Sequence, residues 1–141
     1  MESKQFVVFT LDGEEFGIHI TDVNNIERPL EIFKVPNTPD FVEGIINLRG
    51  KVHTVINLRK RFNISDKNFD NNTRFIIVSL GSSLVGLIVD EVKEIVMVDE
   101  EDMEATPQTL SGLRKKYITG VAKIDNRVVM LPNLNSIVAL D

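Results

Sequence analysis

Two histidines, an acidic run and a glycine-rich segment are the parts of this chain whose chemistry could support catalysis or metal binding. Neither His19 nor His53 has a second histidine or a carboxylate at a spacing that suits a metal site. The chain has no cysteine, which excludes thiolate zinc sites, cysteine nucleophiles and disulfides. We therefore expect no catalytic residue, no metal site and no cofactor.

The glycine-rich segment at residues 44–51 has the composition of a phosphate-binding loop but not its spacing. Five residues separate Gly44 from Gly50, one more than that loop allows, and Val52 stands where Ser or Thr would hold magnesium. The acidic run at residues 99–104 lacks the alternating oxygen ligands and central glycine of a calcium loop. We interpret it as a solvated surface segment.

The charge of the chain argues against general nucleic-acid binding. The net charge is −5 and the isoelectric point is near 5.1, whereas phosphate backbones attract basic surfaces. The basic stretches at 59–61 and 114–116 have no aromatic platform nearby, so we interpret them as solubilising or protein-contact charges. No signal peptide and no apolar run of membrane-spanning length is visible. A cytoplasmic location without membrane insertion is expected.

An internal repeat organises the chain. Residues 6–11 resemble residues 75–80 at an offset of 69, and later positions match at an offset of 76. The matched positions are Gly17 with Gly86, Val23 with Val92, Ile26 with Ile95, Gly44 with Gly120, and Asn57 with Asn133. The difference of seven residues predicts an insertion in the second half, and the polar stretch at 99–116 accommodates it most easily.

Short segments of alternating apolar and polar residues predict β-strands, as at residues 16–20 and 52–58. Asn57 and Asn133 are expected to cap short helices, and Thr21 is expected to cap a helical turn. Closely spaced short strands are typical of small barrels. We predict one all-β domain over residues 1–141, with short helices and with halves at 1–66 and 67–141 whose end strands can exchange.

The segment at residues 35–50 combines features that are rarely found together. Pro36 and Pro39 bracket an extended connection, and residues 44–50 read Gly-Ile-Ile-Asn-Leu-Arg-Gly, followed by Asn-Leu-Arg-Lys-Arg-Phe at 57–62. This pattern resembles the CheW family of bacterial chemotaxis coupling proteins, and the resemblance extends over essentially the whole chain. It implies the CheW-like fold, in which two five-stranded SH3-like β-barrels are intertwined.

The resemblance also implies a function. Proteins of this family are non-catalytic adaptors that join the cytoplasmic tips of chemoreceptors to the regulatory domain of the histidine kinase CheA. The implied location is the cytoplasm, at membrane-associated receptor arrays, and the isolated protein is expected to be a monomer. The family signature loop corresponds to Asn47, Leu48, Arg49 and Gly50. The implied receptor-binding groove corresponds to Val23, Ile26, Gly44, Arg49, Gly86, Val92, Ile95 and Gly120.

Three positions depart from the family pattern. Many members carry an acidic residue in place of Asn25, able to pair with the arginine that Arg49 matches, and Glu27 is the candidate substitute here. Thr54 replaces a frequent proline, and Asn57 replaces a frequent aspartate that would serve equally as a helix cap.

Two other functional classes stay open from the residues alone. Small barrels also bind oligonucleotides, so a nucleic-acid-binding protein is the alternative, one whose affinity would fall steeply with salt. An enzyme with an unrecognised site is the third, although no nucleophile–base pair is visible.

Overall fold

The computed structural model describes residues 3–105 and 116–139, which fold mostly as β-strands. The strands are β1 Ser3–Leu11, β2 Glu14–His19, β3 Val23–Glu27, β4 Val42–Leu48, β5 Lys51–Asn57, β6 Arg74–Leu80, β7 Ser83–Val89, β8 Glu91–Asp99, β9 Met103–Ala105, β10 Ile118–Ile124 and β11 Arg127–Pro132. The short helices are α1 Leu58–Arg61 and α2 Leu134–Val138. The predicted all-β fold with short helices is confirmed.

The strands form two sheets that exchange their hairpins. The six-stranded sheet has the order β8-β1-β2-β11-β10-β9, and the five-stranded sheet has the order β3-β6-β7-β5-β4. Each sheet therefore contains the first hairpin of one half and the later strands of the other half. The six-stranded sheet exceeds the expected five strands because β9 pairs with the edge of β10.

Strand registers follow the two offsets of the sequence repeat. Most pairs in one sheet have a counterpart in the other when 69 is added to residues of β1, β2 and β3 and 76 is added to residues of β4 and β5. The matched pairs are Thr54–Val85 with Met130–Phe16, Gly44–Val55 with Gly120–Leu131, and Ile26–Ile76 with Ile95–Val7. The two sheets are thus related by an approximate internal symmetry.

The matched glycines of β4 and β10 let a neighbouring backbone approach closely. A Cβ atom on Gly44 would lie 2.3 Å from the carbonyl oxygen of Phe33, and one on Gly120 would lie 2.6 Å from that of Glu104. Gly44 also has a φ of +150°, a conformation that side chains disfavour. The repeat retains glycine at both positions because each sheet needs the same close crossing.

Three apolar cores hold the sheets together. One core lies within each sheet, and a larger central core is shared between them. In the central core Phe9 stacks on Phe16 at a centroid distance of 5.5 Å, and Phe62 links Phe16 to Tyr117 at 5.6 Å on each side. Burying each of these rings contributes roughly 1.5–3 kcal/mol, so the exchanged hairpins are joined by a continuous apolar interior.

Side-chain caps begin the helices as predicted at two positions and differently at a third. Asn57 accepts a hydrogen bond from the Lys60 amide, and Asn133 accepts one from the Ser136 amide, both at 3.2 Å. The prediction for Thr21 was wrong. His19 caps the turn of Ile20–Asp22 because its Nδ1 accepts from the Thr21 amide at 3.2 Å.

Candidate protein-binding surface

Strands β3 and β8 lie at equivalent edges of the two sheets and carry four of the predicted groove residues. Val23 lies opposite Val78, and Val92 lies opposite Phe9, so both half-buried valines pack against the shared central core. Three residues further on, the side chains turn outward. Ile26 is 40% exposed and Ile95 is 56% exposed. The two edges therefore present equivalent apolar rims anchored in one core.

The three glycines among the predicted groove residues are buried. Gly44 and Gly120 permit the close backbone crossings described above. A Cβ atom on Gly86 would lie 3.4 Å from Ile77 and 3.5 Å from Val55, in the core of the five-stranded sheet. These glycines therefore contribute to the candidate surface indirectly, because they allow the strands of the two sheets to pack closely.

The signature loop forms the tight turn between β4 and β5, where Leu48 pairs with Lys51. Arg49 and Gly50 have φ values of 54° and 85°, and the Asn47 Oδ1 accepts a hydrogen bond from the Gly50 amide at 3.0 Å. Leu48 is buried in the core of the five-stranded sheet. Three residues of the signature therefore build the turn, and the fourth, Arg49, is exposed at its tip.

Arg49 has no hydrogen-bond or ion-pair partner within residues 3–105 and 116–139. The suggested substitute partner, Glu27, accepts a hydrogen bond from the Asn25 amide group instead, so that suggestion was wrong. In the other half, the position that matches Asn25 is Glu94, which pairs with Arg127 at 2.7 Å. Arg127 matches Lys51 in the repeat and not Arg49, whose counterpart is Asp125, so the Glu94–Arg127 pair is specific to the six-stranded sheet.

An open cavity of about 560 Å³ is lined by residues of β4, β5, β6 and β7, by the turn between β6 and β7, and by Val138. Val52 forms part of its rim and is 63% exposed. At the equivalent place in the six-stranded sheet, Phe16 and Phe62 stand where this cavity has Val85 and Val138, and only about 10 Å³ is left open. The cavity exists because the repeat carries small side chains at these positions in one half.

The basic stretch at residues 59–61 turns inward, contrary to the expectation of a solubilising or partner-contacting patch. Arg59 pairs with Asp90 at 2.7 Å, and Lys60 pairs with Glu43 at 2.8 Å. Arg61 lies 3.9 Å from the centre of the Phe41 ring and donates to the carbonyl oxygens of Ser136 and Ala139. Its partners are distant in sequence, so no local pattern indicates them.

These ion pairs change the ionisation of their members. The hydrogen bond from Lys60 to Glu43 raises the pKa of Lys60. Burial alone would raise the pKa of Asp90, but hydrogen bonds from Arg59 and from the Asp12 amide outweigh it and leave that pKa below its ordinary value. Lys60 and Asp90 are therefore stabilised in their charged forms by contacts within the protein, which is typical of ion pairs that support the fold.

Within the described part of the chain, no group of three His, Asp or Glu side chains is placed to hold a metal ion. No helix in that part is long and apolar enough to cross a membrane. Residues 106–115 of the predicted insertion, which include the basic residues 114 and 115, lie outside the described residues.

Comparison with known proteins covers nearly the entire chain. A family model described as a CheW-like domain matches residues 5–141. The chain is 32% identical to the chemotaxis protein CheW of Klebsiella aerogenes over 136 residues, covering 96% of this chain and 82% of that protein. It is 33% identical to CheW of Bacillus subtilis over 134 residues, covering 95% and 86%. The crystal structure of the scaffolding protein TtCheW from Thermoanaerobacter tengcongensis superposes with a TM-score of 0.87 at 39% identity, covering 94% of this chain and 90% of that one.

The exchanged pair of β-sheets, the apolar edges and these relatives define a non-enzymatic scaffolding protein of chemotaxis, which works through protein partners. The chain belongs to the CheW family. The resemblance drawn from the signature loop is thereby confirmed.

Proposed function

We propose that this protein couples the cytoplasmic tips of chemoreceptors to the regulatory domain of the histidine kinase CheA. Membership of the CheW family supports the proposal, since scaffolding in chemotaxis requires at least two partners. The observation that carries it is the pair of exposed isoleucines, Ile26 and Ile95, at equivalent edges over one shared core.

The receptor is proposed to contact the rims formed by β3 and β8. A receptor tip is helical, and a helix binds a groove through apolar side chains spaced three or four residues apart. Val23 and Val92 supply a floor that is continuous with the central core, and Ile26 and Ile95 supply exposed walls. Docking there would remove apolar surface that is now exposed, at roughly 25 cal/mol per Å².

Family resemblance assigns Arg49 to the receptor-binding groove, but Arg49 lies on the β4–β5 turn and not on the rims of β3 and β8. We therefore propose that this turn contacts the kinase instead. An exposed arginine without an internal partner suits a carboxylate on another protein. The strand that follows Arg49 carries Val52, which is exposed and forms part of the cavity rim. This surface belongs to the five-stranded sheet alone, because Asp125 occupies the matching turn position of the other half with a φ of 54°. Two unlike surfaces on a repeated scaffold suit two unlike partners.

The same contacts are proposed to determine where the protein resides. We expect a cytoplasmic protein that is recruited to membrane-associated receptor arrays through its partners and not by insertion into lipid. Cell fractionation of a strain without receptors should leave it out of the membrane fraction.

The test is co-sedimentation with receptor-containing membranes, run beside a separate pull-down with the kinase regulatory domain. Ile26→Glu and Ile95→Glu should each reduce receptor binding by about tenfold or more, because a buried carboxylate would have no partner. Val128→Glu is the matched control, since Val128 is 60% exposed on another strand. Receptor binding that is unchanged in both isoleucine variants, with the kinase interaction intact, would contradict the proposed groove.

A further inference from the structure

Two arginines stand side by side at the end of the β3–β6 strand pair. The register of this pair ends with Glu27 opposite Phe75. Arg28 directly follows β3, and Arg74 is the first residue of β6. Both line a shallow cavity of about 350 Å³, together with Pro29, Asp70 and Asn71. Two guanidinium groups therefore share one concave surface.

Neither guanidinium forms an ion pair within residues 3–105 and 116–139. The Arg74 Nη1 donates to the carbonyl oxygens of Asn71 at 3.0 Å and Thr73 at 2.7 Å, which orients that side chain. Its remaining N–H groups and all those of Arg28 are available. Arg74 is thus held in place while both side chains keep donors for a ligand.

One carboxylate lines the same cavity and is already engaged. The Asp70 Oδ1 accepts hydrogen bonds from the amides of Asn72 at 2.8 Å and Thr73 at 3.2 Å, and its Oδ2 lies 3.0 Å from the Lys67 Nζ. Lys67 offsets the charge of Asp70. The residues that line the cavity, two arginines and one aspartate, carry a net charge of +1, and the neighbouring Lys67 adds one more positive charge.

The scaffold does not require two positive charges here, because the matching positions of the other half are neutral, with Gln5 opposite Met97. Two guanidinium groups that line one cavity repel each other. The arginine pair is therefore specific to the five-stranded sheet and costs stability unless an anion lies between the two side chains.

We propose that Arg28 and Arg74 bind a phosphoryl group. A phosphoryl group carries a charge of about −1.5 to −2 near pH 7 and three acceptor oxygens, which matches two guanidinium forks. Each fork binds two oxygens through charge-assisted hydrogen bonds. A carboxylate has one charge and satisfies one fork only. Arg28 directly follows β3, so this site adjoins the proposed receptor rim, but its test measures phosphate binding and does not depend on receptor or kinase binding.

The first experiment is a titration with inorganic phosphate at constant ionic strength, followed through the arginine Nε–Hε signals by NMR. Saturable shifts at Arg28 and Arg74 are expected in the wild-type protein. Arg28→Gln and Arg74→Gln should each weaken binding by about tenfold or more, as the loss of a charge-assisted hydrogen bond predicts. Lys4→Gln is the control, because it removes one exposed charge from another strand.

Thermal unfolding separates ligand binding from a structural role. Phosphate should raise the melting temperature of the wild-type and Lys4→Gln proteins but not of the two arginine variants. Without phosphate, Arg28→Gln should be at least as stable as the wild type, whereas Arg74→Gln also loses the hydrogen bonds to the carbonyl oxygens of Asn71 and Thr73. Lower stability of both arginine variants, combined with unchanged phosphate shifts, would overturn the proposal. If the wild-type protein shows no saturable shifts, the proposal is also overturned.

Two further ligands identify the source of the group. If N-acetyl-phosphoserine amide binds more tightly than inorganic phosphate, the natural ligand is a phosphorylated side chain of a protein. If the two ligands bind with equal affinity, the natural ligand is free phosphate. Succinate that binds as tightly as phosphate would overturn the assignment to a phosphoryl group.

Discussion

Arg59 binds Asp90 through two parallel hydrogen bonds, from Nε to Oδ1 at 2.8 Å and from Nη2 to Oδ2 at 2.7 Å. Arg59 belongs to α1, and Asp90 lies between β7 and β8 in the other half of the repeat. The Asp90 Oδ2 also accepts from the Asp12 amide at 2.8 Å, in the turn of the exchanged hairpin. One carboxylate therefore joins three separate segments of the intertwined sheets.

Asp90→Asn should destabilise the protein by about 2–4 kcal/mol at pH 7, because the largely buried Arg59 loses its close counter-charge and keeps only the exposed Asp12, 3.6 Å away. The pKa of Asp90 is lowered on folding, so its contribution is present above its ordinary pKa and is lost as pH falls through the folded pKa. Urea unfolding at pH 7 and at pH 3 should show the variant approaching the wild type in acid. A difference that stays constant with pH would contradict this account.

Gly44→Ala should destabilise the protein by about 3 kcal/mol or more, because it combines a backbone clash with a strained φ of +150°. Gly120→Ala meets a similar carbonyl without the positive φ and should cost about 2 kcal/mol. The control is Gly13→Ala, which has a φ of +82° in open space and should cost about 1 kcal/mol. Chemical denaturation measures all three. An unaffected Gly120→Ala variant would refute the close crossing in the six-stranded sheet.

Local pattern and the repeat together predict much of the fold. Alternating apolar residues predict strands because side chains alternate across a sheet, and Asn57 and Asn133 predict helix starts because their side chains satisfy free amides. The parallel strand pairs Thr54–Val85 and Met130–Phe16 cannot be predicted in this way. They bring together segments that no periodicity connects, so the sequence pattern alone does not say which hairpin joins which sheet.

The sequence likewise predicts some residues of the candidate surface and not others. Family resemblance and the repeat identify Ile26 and Ile95, whose exposure follows from edge position and strand alternation. They do not identify the internal use of Arg59, since its partner Asp90 is 31 residues away in sequence. Nor do they show that Arg28 and Arg74 line one cavity, because that juxtaposition depends on the pairing of β3 with β6.

Asn57→Asp should destabilise the protein at pH 7, although aspartate caps helices as well as asparagine does. The Asn57 amide donates to Glu43 at 2.9 Å and to Asp66 at 3.1 Å. Burial would raise the pKa of Asp66, but hydrogen bonds from Asn57 and from the Lys67 amide outweigh it and lower that pKa. A third carboxylate would lose both donors and add repulsion, at a cost of about 2–4 kcal/mol.

The cost of Asn57→Asp should decrease as pH falls towards 4, because protonation of one carboxyl group restores a donor. Asn133→Asp is the control: this residue caps α2 through the Ser136 amide and has no carboxylate partner among the described residues, so it should change stability by less than about 0.5 kcal/mol. Denaturation curves at pH 7 and pH 4.5 measure both variants. If the two substitutions change the free energy of unfolding equally, the hydrogen bonds from Asn57 to Glu43 and Asp66 do not stabilise the protein.

Arg49→Gly should raise stability while it weakens assembly. Arg49 has a φ of 54°, which costs a residue with a side chain about 1 kcal/mol that glycine does not incur. It makes no contact that would offset this cost within the described residues. A strained position retained without an internal partner is expected where the side chain serves an interface. Chemical denaturation should therefore show a gain of about 0.5–1 kcal/mol.

Assembly with receptor and kinase should fall in Arg49→Gly and fall further in Arg49→Glu, whose charge would repel the carboxylate that we expect the guanidinium to meet. Lys51→Glu is the matched control, because it makes the same charge reversal on the other side of the turn. Co-sedimentation of the ternary complex measures all three variants. If only charge at the turn matters, Lys51→Glu will match Arg49→Glu, and Arg49 will have no specific role. If the guanidinium itself is recognised, only the Arg49 variants will lose the kinase while each remains folded.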